Sequence, residues 1–207
     1  MSKKYLFIAL AVSIISAAFF TAAKPKTLEN TAVVVEAENY VKESGGQLQK
    51  MEGRTASSKN LCIAYWNDKD HWVEWVVNIP KTGEYKVVIR YCHNKNYLGL
   101  RDFMIDGKYS NKDLKSIGFE STGGLSRGQD DWKNLILKDK KGNDIIFKMR
   151  KGKHTIRMKN LGSTDAGKEA DRSPINLDLI AFITPDVIPD KIFDFKTAGQ
   201  GELLPAK

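Results

Sequence analysis

Residues 71–92, HWVEWVVNIPKTGEYKVVIRYC, place Val73, Trp75, Val77 and Ile79 on one side of an extended chain and Glu74 and Asn78 on the other. After Pro80-Lys81-Thr82-Gly83 the same period resumes, with Tyr85, Val87, Ile89 and Tyr91 on one face. Proline cannot donate to a ladder and glycine accepts dihedrals that other residues avoid, so these four residues read as a turn and the segment as a β-hairpin. A period of two cannot line up one face of a helix, so the hairpin commits its surroundings to sheet.

The rest of the chain agrees. Strands are expected over 33–40, 102–110, 132–137, 144–149, 154–160 and 175–183, with Asp106-Gly107, Lys141-Gly142-Asn143 and Lys151-Gly152 as turns. Many short strands, frequent turns and no long amphipathic helix predict an all-β fold, a β-sandwich or jelly roll. With 207 residues, 42% of them hydrophobic, the chain can fill one domain. No internal repeat is present.

The first 23 residues are of another kind. Lys3 and Lys4 precede a nearly unbroken apolar run from Tyr5 to Ala18, and Thr21-Ala22-Ala23 supplies small residues for cleavage, the pattern of a signal peptide. An uncleaved anchor is the alternative, because the apolar stretch approaches the ~20 residues that span a bilayer. The domain reading is signal peptide 1–23, leader 24–32, sandwich 33–184 and C-terminal tail or linker 185–207.

Without Lys3 and Lys4 the chain holds 31 basic and 25 acidic residues, a net charge near +6. That charge serves either ordinary solubility or attraction to a polyanion. Export argues against nucleic acid and leaves an acidic polysaccharide or a cell-surface polymer as partner. Cys62 and Cys92 are the two cysteines, and they read either as a disulfide of an exported protein or as two buried thiols.

Within VVVEAENYV, residues 33–41, a continuous strand would point Val33, Val35 and Ala37 inward and put Glu36 and Glu38 together on the other face, about 6 to 7 Å apart. Like charges at that spacing repel. Either they are solvated charges that discourage edge pairing, or they share a calcium ion with Asp178 of INLDLIAFI, since that ion takes six to eight oxygen ligands.

Taken in order, VVVEAENYV, HWVEWVVNIPKTGEYKVVIRY, GKHTIRMKN and NLDLIAFI resemble the carbohydrate-binding modules of families 6 and 35, from about Val33 to Ile183. The resemblance implies a jelly-roll sandwich without catalytic activity. It further implies a structural calcium held by Glu36, Glu38 and Asp178, with backbone carbonyls from the loop before Leu61. It places a sugar site in loops at one edge, where Tyr65 or Trp66 and Trp132 would stack on a sugar and Asn160 would hydrogen-bond its hydroxyls. Of the two neighbouring aromatics, Trp66 is expected to be the ring beyond the strand end. Lys95, Arg101 and Arg127 would assist if the glycan is acidic.

Two segments depart from the family pattern. SSKNLCIAYW lacks a glycine-rich lead before its first aromatic, and GSTDAGKEADRS, residues 162–173, is long and charged. Catalysis has little support: His71, His93 and His154 show no metal-ligand spacing, and nothing singles out Glu120, Asp130 and Asp131 as a glycosidase's carboxylates. The function expected is binding of a polysaccharide or oligosaccharide by an exported module, with possible cell-surface association. The alternative is a structural or adhesion protein of the envelope that keeps the scaffold without sugar binding.

Overall fold

The computed structural model describes residues 32–125, 130–165, 167 and 170–189. The expected signal peptide, most of the leader, Arg127 and the end of the tail lie outside the described residues. Strands follow one another as β1 (Ala32–Glu36), β2 (Lys42–Ser44), β3 (Gln49–Glu52), β4 (Leu61–Ala64), β5 (Trp72–Ile79), β6 (Gly83–Cys92) and β7 (Gly99–Arg101). They continue as β8 (Met104–Ile105), β9 (Ile117–Phe119), β10 (Lys133–Ile136), β11 (Phe147–Met149), β12 (Gly152–Ser163) and β13 (Asn176–Ile183).

Two antiparallel sheets form the β-sandwich that the alternation predicts. One runs β10-β6-β13-β4-β3, with β1 also on β13 and β11 also on β6. The other runs β2-β5-β12-β7-β9, with β8 also on β12. Each of the long strands β6, β12 and β13 therefore carries two short partners in succession along one edge. This is why so many of the strands are only two to five residues long.

Both strands of the expected hairpin form, but not as a hairpin: β5 pairs with β2 and β12, and β6 with β10, β11 and β13. The turn at residues 80–82 therefore carries the chain from one sheet to the other, and Val73, Trp75, Val77 and Ile79 are all buried. Between the sheets Trp75 meets Trp66 edge-on, Phe103 meets Phe147 and Tyr91 meets Phe119. Each such side chain contributes about 1.5–3 kcal/mol by leaving water. The Trp75 indole N–H also donates to the Ala37 carbonyl at 2.8 Å, which ties the second sheet to the end of β1.

Other expectations change as well. The strand expected over 33–40 stops at Glu36 and gives way to a 3-10 turn, Ala37–Asn39, so the two glutamates no longer sit on one extended face. The strand expected over 102–110 shrinks to Met104–Ile105, because the Asp102 amide bonds to the Lys159 carbonyl and that of Phe103 to Leu114 outside any ladder. Strand β6 is buried on both faces, since Val88 joins Leu179, Ala181, Ile183 and Val187 in a second apolar cluster on the outside of its sheet. Residues just past β13 thus dock through Val187, while Ile188 stays 53% exposed. Cys62 and Cys92 are both free and buried; burial pushes the Cys62 thiol up to about 12, so it stays protonated.

The Asp106-Gly107 turn forms with positive φ at both residues, 51° and 71°. It is held by His154, whose Nδ1 lies 2.7 Å from Asp106 Oδ2 and whose Nε2 lies 2.8 Å from the Arg150 carbonyl. Partial burial works against the imidazolium, yet the bonds to Asp106 and Arg150 outweigh it and raise the His154 pKa. The raised value means that this stabilisation is complete below the unfolded value, about 6.5, and is lost as pH rises through the folded one. His154→Gln is expected to cost about 1 kcal/mol or less near pH 5.5 and less at pH 8.5, read from urea midpoints. Equal costs at both pH values would mean that the ring is held neutral.

Candidate functional site

Two polar sites flank the start of β13. The first gathers the expected acidic residues. Glu36 ends β1, which pairs with β13 so that Glu36 faces Leu179, next to Asp178. The loop before β4 turns through positive φ at Ala56, Lys59 and Asn60 and brings Ser58 between them. The Ser58 amide donates to Asp178 Oδ1 and its hydroxyl to Glu36 Oε1, both at 2.8 Å. Glu36, Glu38, Ser58 and Asp178 are all buried.

A carboxylate in such a place needs a counter-charge. Arg90 of β6 provides one: its Nε donates to Asp178 Oδ2 at 2.9 Å and its Nη2 to the Ala56 carbonyl at 2.9 Å. Burial pushes both members toward neutrality, raising Asp178 and lowering Arg90, while their direct bond opposes each shift. Lys59 Nζ lies 3.4 Å from Glu36 Oε1. Burial, with Glu36 close by, also raises Glu38.

Whether a calcium ion fits depends on the oxygens still available. Glu36 Oε2 and Glu38 Oε2 are buried without a hydrogen-bond partner, and these hard oxygens suit the ion. Asp178 is different, because Arg90 and Ser58 engage both its oxygens. Among the described residues no three His, Cys, Asp or Glu side chains are arranged to hold a metal. Two glutamate oxygens are thus open to a cation, while Asp178 is already bound to a cation of the protein's own.

The second site is a cavity of about 420 Å³ at the ends of β4 and β6 and the start of β13. Tyr65 lines it, following β4 with φ of 62°, and is 51% exposed. Amides come from Asn67, Asn94 and Asn176, and positive charge from Arg54, Lys95 and Arg172. The described lining residues include no carboxylate. Arg54 and Asn176 are buried, so these two side chains are fixed before any ligand arrives. Arg54 pairs with Asp130 and keeps a buried Nε without a partner.

Several expected site residues lie elsewhere. Trp66 is fully buried, donates its indole N–H to the His71 carbonyl at 3.0 Å and packs edge-on against Trp75. Trp66, expected as the ring beyond the strand end, turns inward instead: the backbone goes left-handed at Tyr65, with φ of 62°, and Tyr65 is the ring left exposed. Asn160 is fully buried as well: its Oδ1 accepts from Arg101 and the Gly162 amide, and its Nδ2 donates to the Trp66 carbonyl. Its oxygen is fully engaged and its side chain is closed off from solvent, so it does not face a ligand. Arg101 is likewise buried, behind the cavity wall.

Trp132 is half-buried and is not among the lining residues; its N–H donates to the Thr55 carbonyl, and Arg90 lies 5.7 Å from its ring centroid. It covers the acidic site rather than the cavity. Of the expected residues, Tyr65 and Lys95 reach the cavity. Asn176 was overlooked, although its place two residues before Asp178 on one strand was the available signal. Nothing in the local sequence marked Arg54 or Arg172.

The geometry can be compared with known proteins. No protein-family model matches the sequence, and no curated protein matches it. Among solved structures, a family 35 carbohydrate-binding module from Clostridium thermocellum superposes with a TM-score of 0.53 at 21% identity, over 73% of this chain and 97% of that one. The fold is that of a family 35 carbohydrate-binding module. A second family 35 module, from Cellvibrio japonicus Abf62, gives a TM-score of 0.51 at 15% identity over 73% of this chain and 92% of its own. A Podospora anserina β-(1,4)-mannanase that carries a family 35 module gives 0.50 at 12% identity, over 76% of this chain and 29% of that one. The family 35 fold is thus spanned almost end to end by the described sandwich.

Removing Arg90 would strand the Asp178 carboxyl. Arg90→Met is expected to cost about 3 kcal/mol in urea unfolding, and adding Asp178→Asn should recover part of that. A cost for Arg90→Met below about 1 kcal/mol would show that Asp178 does not depend on its partner.

Proposed function

We propose that this protein binds carbohydrate in the Tyr65 cavity and does not transform it. The observation that carries this reading is the composition of the cavity: one exposed aromatic ring beside three amides and three cations. A pyranose offers C–H patches that pack on a ring and hydroxyls that exchange hydrogen bonds with amides. The family 35 fold supports the same reading.

The finer parts are proposals too. Lys95 and Arg172, in a lining whose described residues include no carboxylate, favour an acidic sugar, because a charge-assisted bond to a sugar carboxylate is about twice as strong as a neutral one; Arg54 is already paired with Asp130. Binding without catalysis is supported by the engagement of the candidate acids: Asp130 is tied to Arg54, and Glu120 lies 3.1 Å from Lys133. Glu36 and Glu38 would hold a calcium ion next to the Arg90–Asp178 pair, and the ion would neutralise their buried charge. Export to the cell surface or beyond follows from the signal-like first 23 residues and suits a polysaccharide partner.

Two measurements test this. Oligogalacturonides titrated calorimetrically into the protein should bind more tightly than neutral cello-oligosaccharides, and Tyr65→Ala and Asn176→Ala should each weaken binding at least tenfold, about 1.4 kcal/mol. Retention of the wild type by no member of a broad glycan panel would remove the reading, and capture of envelope proteins in its place would favour an adhesion role. Separately, calcium added after treatment with a chelator should raise the melting temperature by several degrees, an effect that Glu38→Gln should diminish. An unchanged melting temperature would leave the glutamates without an ion.

A further inference from the structure

The cavity is built from segments with few apolar residues to hold them. One wall is the 65–70 segment after β4, and the other is the 170–175 segment that returns from the charged insertion. They are zipped together by backbone bonds, from the Lys69 amide to the Asp171 carbonyl and from the Ser173 amide to the Asn67 carbonyl. Asp68 and Arg172 also pair as an isolated bridge. Behind this zip stands Arg101 of β7, a fully buried guanidinium.

Its hydrogen bonds go to neutral acceptors. Nη2 donates to the Trp66 carbonyl at 2.9 Å and to the Ser173 carbonyl at 2.6 Å. Nη1 donates to the Leu100 carbonyl and to Asn160 Oδ1. The guanidinium carbon also lies 4.5 Å from the Trp66 ring centroid. The two carbonyls that share Nη2 belong to residues flanked by cavity-lining ones: Trp66 lies between Tyr65 and Asn67, and Ser173 between Arg172 and Pro174.

We propose that Arg101 is the positioning residue of the cavity: one guanidinium group sets the spacing of its two walls and with it the seat of Tyr65 and Arg172. The proposal rests on the reading of the cavity as the ligand site. Burying a cation without a carboxylate is unfavourable for stability; burial lowers the Arg101 pKa to about 9, the cost expected of such a charge. An apolar residue would fill the space at less cost, but it could not join two carbonyls from different segments. The planar fork of arginine can. Asn160 completes the device, since it accepts from Nη1 and donates to the same Trp66 carbonyl.

The test separates local positioning from general packing. In Arg101→Met, hydrogen exchange at the Lys69 and Ser173 amides should speed up at least tenfold, while amides of the β5–β12 ladder around Trp75 and Ile156 keep their protection. Oligogalacturonide binding should fall at least tenfold in the same variant. In Arg101→Ala, millimolar guanidinium, but not tetramethylammonium, should restore the slow exchange. Arg101→Lys keeps the charge with a point donor and should fall between wild type and Arg101→Met, which covers the case in which the methionine variant does not fold. Unchanged exchange at Lys69 and Ser173, or a uniform loss of protection across both sheets, overturns the proposal. The exchange measurement uses no glycan, so a wild type that binds no sugar would defeat the functional reading while Arg101 is still judged.

Discussion

Strand β13 carries the heaviest constraint in the fold. Every residue from Asn176 to Ile183 is buried, because β6 flanks one edge, β1 and β4 share the other, and apolar clusters cover both faces. An aspartate in the middle of such a strand is tolerable only if its charge is met inside the protein. Asp178 therefore dictates its surroundings: Arg90 on the neighbouring strand and Ser58 on a loop forced through left-handed backbone both bond its carboxylate, against the like charge of Glu36 at the end of β1. The ladder shifts register between Leu177 and Leu179 at this point, so the polar insertion coincides with an irregularity in β13.

Two buried arginines divide the irregular parts of the molecule between them. Arg90 holds the loop before β4 through the Ala56 carbonyl and reaches Asn134 on β10. Arg101 does the same for the segment after β4 and for the return of the insertion. In both cases a guanidinium replaces the hydrophobic packing that polar loops cannot supply, and it does so by donating to loop carbonyls. The strands provide the rigid frame, and the arginines transmit its rigidity to the loops beside the cavity.

The alternation in residues 71–92 was sufficient to read two strands of a sandwich, but not their pairing: the same period and turn residues serve a hairpin within one sheet or a crossing between two, and the partners β12 and β13 lie far along the chain. Short strands such as β2, β7 and β9 were not legible. At three residues each, they have no period of their own and exist because β5 and β12 offer edges to β2 and β7, and β7 in turn offers one to β9. The acidic trio was readable from residue type and from its place near the two ends of the domain. The cavity was read only in part: Tyr65 and Lys95 belong to it, while Trp66 and Asn160 are interior. The choice between Tyr65 and Trp66 turned on one left-handed residue, and no propensity marks a tyrosine for positive φ; Asn160 is interior because Arg101, Gly162 and Trp66 take up its amide.

The order of apolar and polar residues determined by itself that this chain forms strands, where the chain turns between β5 and β6, and that Glu36, Glu38 and Asp178 stand near the two ends of one domain. Those properties are local, set by side-chain alternation and turn residues within a few positions. The tertiary structure decided which aromatic faces outward, that Asp178 is met by an arginine, and that Arg54, Arg172 and Asn176 share a cavity. Each of these depends on segments far apart in the chain, brought together by burial and by the need of buried polar groups for partners, and no local pattern records it.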